Sequence, residues 1–350
     1  MNGKTRRKRT APSALDVARI ANVSRSTVSR TFTEGASIDP ATRSLVLEAA
    51  RSLGYRPRSA AASMVEEPVV GRTVGLVMAN LDNPFYQAVL AGFLGELHQR
   101  GLRVMCRAAA ALDGTEIEIS SMLEQGVDAM IVAASGLRSG AIEACAAAGV
   151  PVVLFNRAVE GVDAFSVQTD NVAGARAIAE LLVLGGHKRI AFINGLEGAS
   201  TNRDRLAGLT QRLEELGLER PIQEWGEYTF EGGREAAKRL MMQTEPPDAI
   251  FAANDISALG ALEGLRRDLS ISVPEEVSVV GFDDIPMASW PSFNLTTVRQ
   301  RRNKMIAAAM AMIDDIMAAK EAEKRTVIVD SRLILRGSAR LARSEPDQPS

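Results

Sequence analysis

The hydrophobic and polar positions of this chain form two textures that meet near residue 73. In the first, residues 14–32 (ALDVARIANVSRSTVSRTF) read as a helix, a tight turn and a second helix. Ser13 stands where an N-cap belongs, and Val17, Ala18 and Ala21 give the first helix an apolar stripe at i, i+1 and i+4 spacing. Asn22 ends it, because asparagine tolerates the left-handed backbone that a sharp turn between crossed helices needs. Ser24 offers the next cap. Val28 and Phe32, four apart, then face inward with Val23, which leaves Arg25, Ser26, Ser29 and Arg30 outward. Asp39-Pro40 opens a third helix, with Asp as cap and Pro at the first helical position. Val46, Ala49, Ala50 and Leu53 form its apolar face and Gly54 stops it, so three short helices share one small core. Residues 59–65 (SAAASMV) are Ala-rich and serine-capped, but fall below the about 12–15 residues a helix needs alone in water. They are predicted to turn helical on binding, and residues 66–68 read as linker.

From residue 73 the texture changes to short apolar runs separated by amphipathic stretches. Residues 73–78, 102–106, 129–133 and 151–155 read as buried strands, with helices at 84–100, 115–125 and 140–148 between them. The alternation restarts with strands at 189–193, 249–252 and 277–282 and helices at 203–216, 232–241 and 255–269. Such an order predicts an α/β fold of doubly wound parallel sheets in two lobes with a cleft. A final helix at 299–320 and strands at 327–330 and 332–335 weave back across, so that more than two segments join the lobes and form a hinge. The domain reading is a disordered basic arm (1–12), a three-helix domain (13–58), a hinge helix with linker (59–70), a two-lobed body (71–340) and a flexible tail (341–350). One lobe takes 71–168 with 299–325, the other 169–298 with 326–340.

Charge changes the picture of the first texture. The formal net charge of −2 over 350 residues conceals twelve Lys and Arg against four Asp and Glu in residues 1–63, a net +8 that leaves −10 for the rest. Residues 14–32 alone also fit an ordinary helical hairpin, but a basic head on an acidic body points to a polyanion partner for the head. An exposed Arg/Ser face that begins at a helix N-terminus suits a major groove and its flanking phosphates. Cys106 and Cys145 lack CxxC spacing and lie in core-like segments, which predicts free thiols in a reducing compartment. The basic start has no apolar export core behind it, and no apolar run approaches the about 18 residues of a membrane span. A cytoplasmic, soluble protein without a membrane partner is expected.

In open α/β sheets a ligand sits beyond the carboxyl ends of the strands. The residues that follow the apolar runs are Asn83, Phe85 and Tyr86; Asn156 and Arg157; Arg205; Asn254; and Asp283. Tyr228 and Phe230, after the short run 222–225, are placed to cover the opening. Aromatic faces pack the C–H side of a sugar ring while carboxylates, amides and guanidinium groups fork its hydroxyls, so the set suits a small sugar or polyol. Taken singly, Asn254 and Asp283 also fit as helix caps, Phe85 as core and Arg205 as a surface residue. An enzyme using Asp283 with Arg157 is a competing reading. Against it, no Ser/His/Asp or Cys/His arrangement is identifiable, His187 in GGHKR reads as a loop or capping histidine, and no GxGxxG, phosphate loop or metal cluster appears. No cofactor is expected.

The pieces DVARIANVSRSTVSR, PRSAAASM, VGLVMANLDNPFY, NRDRLAG, FAANDISALGAL and VVGFDD together resemble the LacI/GalR family of bacterial transcriptional repressors, from about Ala14 to about Arg336. The resemblance implies a homodimer, or a tetramer built from it, on a palindromic double-stranded operator, with recognition helices in major grooves and paired hinge helices in the minor groove. It also implies a core like periplasmic sugar-binding proteins that senses an effector. By position, Arg25 and Ser26 fall where the family reads base edges, Arg30 at a further base contact, and Ser24 and Thr27 near phosphates, with Ser29 on the same face. Arg58, Ala61 and Met64 belong to the hinge segment. Met64 replaces the leucine that usually wedges between base pairs, and Thr33 replaces an asparagine common after the recognition helix. Asn83, Phe85, Tyr86, Asn156, Arg157, Arg205, Tyr228, Asn254 and Asp283 match effector positions, several as in ribose-type domains, which favours a pentose. The alternatives are a non-regulatory sugar-binding protein, which would need an export signal and no +8 head, and a sugar-modifying enzyme.

Overall fold

The computed structural model describes residues 13–32, 38–53, 72–109, 114–134, 139–159, 161–318 and 323–341. The chain divides into two compact units, Met1–Val70 and Gly71–Ser350.

The first unit holds α1 (Ala14–Ile20), α2 (Arg25–Thr31) and α3 (Pro40–Leu53). Ser13 and Asp16 form a reciprocal capping box on α1, and Ser24 accepts from the Thr27 amide to cap α2. Asn22 takes φ 50° in the turn, the conformation that its short amide tolerates. Asp39 accepts from the Thr42 amide at 3.0 Å at the start of α3. Val17, Val28 and Val46 meet with no exposed surface, with Ala18, Ala49 and Ala50 around them. Each buried valine contributes about 1.5–3 kcal/mol, which is how three short helices hold together. Thr31, which carried no apolar signal, is also buried, because its hydroxyl donates to the Thr27 carbonyl at 3.0 Å.

The second unit carries two six-stranded sheets. The first comprises β1 (Thr73–Ala79), β2 (Arg103–Ala109), β3 (Ala129–Ala133), β4 (Val152–Phe155), β5 (Phe165–Thr169) and β11 (Thr326–Val329), in the order β11-β5-β4-β3-β1-β2, all parallel. The second comprises β6 (Ile190–Asn194), β7 (Ile222–Trp225), β8 (Ala249–Ala252), β9 (Ser278–Asp283), β10 (Thr296–Gln300) and β12 (Ser331–Ile334), in the order β12-β10-β9-β8-β6-β7. Only β12 runs antiparallel to its neighbour. The helices are α4 (Pro84–Gln99), α5 (Gly114–Glu124), α6 (Ser139–Ala147), α7 (Asn171–Leu184), α8 (Ser200–Glu215), α9 (Phe230–Met241), α10 (Asp255–Glu263) and α11 (Arg302–Met317).

Three segments cross between the lobes. β5 leads through Asp170 into α7, which packs on α8; β10 leads through Arg301 into α11, which packs on α4 and β5; β11 leads through Asp330 into β12. The sequence reading differs at each crossing. β5 and α7 lie outside every element read from the sequence, the final helix begins at Arg302 rather than 299 because Arg299 and Gln300 finish the strand β10, and β11 belongs to the first lobe because it pairs with β5. The helix read over 255–269 ends as α10 at Glu263 and continues as one π turn, Gly264–Asp268.

Candidate ligand cavity and nucleic-acid interface

The carboxyl ends of both sheets face one cavity, which encloses about 540 Å³ of space, part of it open to solvent. All nine cleft residues drawn from the sequence line it: Asn83, Phe85, Tyr86, Asn156, Arg157, Arg205, Tyr228, Asn254 and Asp283. Phe230 does not; it begins α9 and is 37% exposed. Asn80, Ser200 and Thr201 are lining residues that strand-end reasoning missed. Asn83 and Asn254 do serve as caps, of α4 and α10, so the plain structural role and the lining role coincide. Four lining residues sit at positive φ: Asn80 at 57°, Asn156 at 57°, Tyr228 at 60° and Asp283 at 132°. Such backbone costs energy for a tyrosine or aspartate and clusters at binding sites.

Packing explains how the lining is held. Phe85 and Tyr86 meet edge to face at 5.2 Å between centroids. The Tyr228 ring lies flat against Gly195, where an added Cβ would come within 2.1 Å of it, and its hydroxyl is 2.9 Å from the Thr201 hydroxyl. Across the cleft the Ala158 amide donates to the Ser200 hydroxyl at 3.0 Å.

Charge is concentrated at Arg205 and Asp283, both almost wholly buried. Arg205 Nε donates to Asn171 Oδ1 at 2.9 Å and Nη1 to the Ala253 carbonyl, while the guanidinium stacks 3.8 Å over the Phe282 ring. Its Nη2 lies 3.7 Å from Asp283 Oδ1, and Gln300 Nε2 donates to the same oxygen at 2.6 Å. Burial holds the Asp283 carboxyl above the ordinary carboxylate range, against the opposing pull of Arg205, Gln300 and Asn83. Asp255 behind it is raised by burial and by the Asp283 charge, while Thr297 and the Ile285 amide donate to it. Burial likewise lowers Arg157 to about 10 and pushes Tyr228 up to about 12. The buried Asn156 Oδ1 has no hydrogen-bond partner among the described residues, which leaves an acceptor for a hydroxyl entering the cavity.

On the small unit, Arg25, Ser26, Ser29 and Arg30 are exposed on one face of α2, as the periodicity required. The hydroxyls of Ser26 and Thr27 lie 2.7 and 2.8 Å from that of Ser24, so the cap also gathers the polar end of the helix. Arg58, Ala61 and Met64, with Thr33 and the segment 59–65, fall outside the described residues.

Residues 14–58 match the family described as bacterial regulatory proteins, lacI family, and residues 179–339 match the periplasmic binding protein-like domain. The HTH-type transcriptional repressor CytR of Escherichia coli (strain K12) is 30% identical over 340 residues, 96% of this chain and 99% of the relative. This chain belongs to the LacI family. Another relative, the HTH-type transcriptional regulator GalS of Salmonella typhimurium, is 32% identical over 289 residues, 81% of this chain and 84% of that one. Among solved structures, the transcriptional regulator CelR–cellobiose complex superposes with TM-score 0.69 at 30% identity, covering 94% of this chain and 100% of that chain. As a LacI-family member the protein is a DNA-binding transcriptional regulator and not an enzyme.

Two sequence readings need correction. A Ser/His/Asp set does assemble: His187 Nε2 is 2.8 Å from the Ser278 hydroxyl and Nδ1 is 3.4 Å from Asp248. It lies at the amino ends of β6, β8 and β9, away from the cavity, and Ser278 is wholly buried, so no substrate reaches it. Its contacts instead pin the closing segment, since the Arg340 amide donates to Ser278 and the Arg340 guanidinium meets His187. Cys106 is exposed rather than core, because β2 is an edge strand; Cys145 is buried, and both are free thiols. Among the described residues no group of His, Cys, Asp or Glu could hold a metal ion, and no helix is long and apolar enough to cross a membrane.

Proposed function

We propose that the chain is a sugar-responsive repressor that binds a palindromic operator as a homodimer, at nucleoid DNA in the cytoplasm. Arg25, Ser26 and Arg30 read base edges, Ser24 and Thr27 approach the phosphates with Ser29 on the same DNA-facing side, and Arg58, Ala61 and Met64 act in the hinge at the minor groove. The cavity takes a small sugar-like effector, with a pentose favoured. The observation that carries this reading is the convergence of nine residues from both lobes on one cavity, with an aromatic pair on one side and a buried guanidinium and carboxylate on the other. An effector that fits the closed cleft better than the open one shifts the lobes, and through them the hinge; without that difference in affinity it would shift nothing. A coupling of about 1–3 kcal/mol, roughly 5–150-fold in operator affinity, is typical of such switches.

Thermal-shift titration of the full chain with D-ribose and with cellobiose, followed by fluorescence anisotropy on a palindromic duplex selected from a random pool, tests the proposal. A sugar that raises the melting temperature and changes operator affinity supports it. Sequence-selective DNA binding that no sugar, sugar acid or sugar phosphate alters would overturn the effector assignment.

A further inference from the structure

Three side chains outside the cavity lining, Thr169, Asn171 and Gln300, close a ring of polar contacts at the lobe crossings. Gln300 Nε2 donates to Asp283 Oδ1 at 2.6 Å, and the Thr169 hydroxyl donates to Gln300 Oε1 at 2.6 Å. Asn171 Nδ2 donates to the Thr169 carbonyl at 3.1 Å, and Arg205 Nε donates to Asn171 Oδ1 at 2.9 Å. Arg205 Nη2, 3.7 Å from Asp283 Oδ1, completes the circuit. All five residues are more than nine-tenths buried. With Asp283 ionised the chemistry allows one sense around the ring: the carboxylate accepts from the Gln300 amide nitrogen, which turns the amide oxygen to the Thr169 hydroxyl.

The ring joins the cavity to the crossings. Asp283 and Arg205 line the cavity, whereas Thr169 ends β5 in the first sheet, Asn171 opens α7 in the second lobe and Gln300 ends β10 in the second sheet. Four links are hydrogen bonds of 2.6–3.1 Å, and the Arg205–Asp283 contact at 3.7 Å is the loose one. We propose that Thr169, Asn171 and Gln300 are positioning residues that convert occupancy of the cavity into hinge geometry. A ligand that draws Asp283 and Arg205 together tightens the loose link. The short links pass that displacement to two of the three crossings, β5 to α7 and β10 to α11, because a buried network in a low-dielectric interior is stiff and leaves a costly unpaired group wherever one member yields. The proposal rests on the reading of the cavity as the effector site.

The test is hydrogen exchange, read by mass spectrometry, on the sugar-free full chain and on its Thr169→Val, Thr169→Ser and Gln300→Leu variants. Thr169→Val is close to isosteric and removes only the hydroxyl donor, so exchange at amides 300–302 as well as 169–171 should rise about tenfold, the equivalent of one buried hydrogen bond. Gln300→Leu should do the same at both segments, and Thr169→Ser should stay within about twofold of the parent, because the donor is retained. Unchanged exchange at 300–302 in Thr169→Val, or a Thr169→Ser variant as fast as Thr169→Val, overturns the proposal. If Gln300→Leu loosens the whole fold, the two Thr169 variants decide. In the same samples saturated with D-ribose, the parent should slow exchange at both segments and Thr169→Val should not. The sugar-free arm stands apart from the pentose reading, so a parent indifferent to D-ribose counts against that reading and leaves the exchange criterion in force.

Discussion

Replacing Gly195 by alanine probes how the cavity wall is held. The added Cβ would stand 2.1 Å from Cζ of the Tyr228 ring and 2.2 and 2.4 Å from its two Cε atoms. Ordinary carbon contacts lie at about 3.5–4.0 Å, so the ring must retreat by about 1.5 Å. Tyr228 has little slack, because its backbone is already at φ 60° and its hydroxyl is engaged 2.9 Å from Thr201. Losing that hydrogen bond costs about 1 kcal/mol and the residual overpacking about 1–3 kcal/mol, so a total near 2–4 kcal/mol is expected. Gly195 itself does not take positive φ, so the alanine brings no backbone strain and the loss comes through Tyr228. The full chain should melt several degrees lower, and sugar affinity by calorimetry should fall by about tenfold or more as the displaced ring enters the binding space. In a Tyr228→Ala background the same Gly195→Ala change should be nearly silent. Equal losses with and without the tyrosine ring would refute the steric argument.

Arg25→Ala should weaken binding to the preferred operator by about 1–3 kcal/mol while leaving random DNA nearly unaffected; equal loss on both would remove its base-reading role. Ser24→Ala deletes the α2 cap at a cost of about 1 kcal/mol, visible as roughly fivefold faster amide exchange within α2, and an unchanged rate would show that the cap is idle. The buried Asp283 carboxyl, held above its ordinary 3.8, binds a proton in the folded state that the unfolded chain has released. Its contribution to stability is therefore full at low pH and fades as pH rises through the raised value. The stability of the parent minus that of Asp283→Ala, from urea midpoints, should fall between about pH 4 and about pH 7, and a flat or rising difference would contradict the burial argument.

What was legible in the sequence follows from what local signals encode. Caps at Ser13, Ser24 and Asp39 fixed the three small helices because each acts within three residues of itself. Continuous apolar runs marked β1, β3, β4, β6, β8 and β9 because both faces of a parallel sheet are covered. The strands FSVQT and TTVRQ lack a continuous apolar run because Thr169, Thr297 and Gln300 spend polar side chains on partners far along the chain, such as Thr169 on Gln300, 131 positions away. The sequence places β11 with the second lobe, whereas the strand sits in the first, because its pairing with β5 has no local sign. The cavity was readable through its strand ends. Ser200 and Thr201 were not, since α8 starts three residues earlier than its apolar pattern suggested, and Gly195 was not, since its importance lies in the Cβ it lacks.

Control of DNA binding by a sugar in this cavity is the core of the proposed function. Its most direct test is operator affinity by fluorescence anisotropy, with and without D-ribose or cellobiose, for the parent and for Asp283→Ala. The account predicts that the sugar changes parental affinity by about 5–150-fold, whereas Asp283→Ala binds the operator as the sugar-free parent does and ignores the sugar. An Asp283→Ala protein whose operator affinity responds to sugar as the parent's does would contradict it.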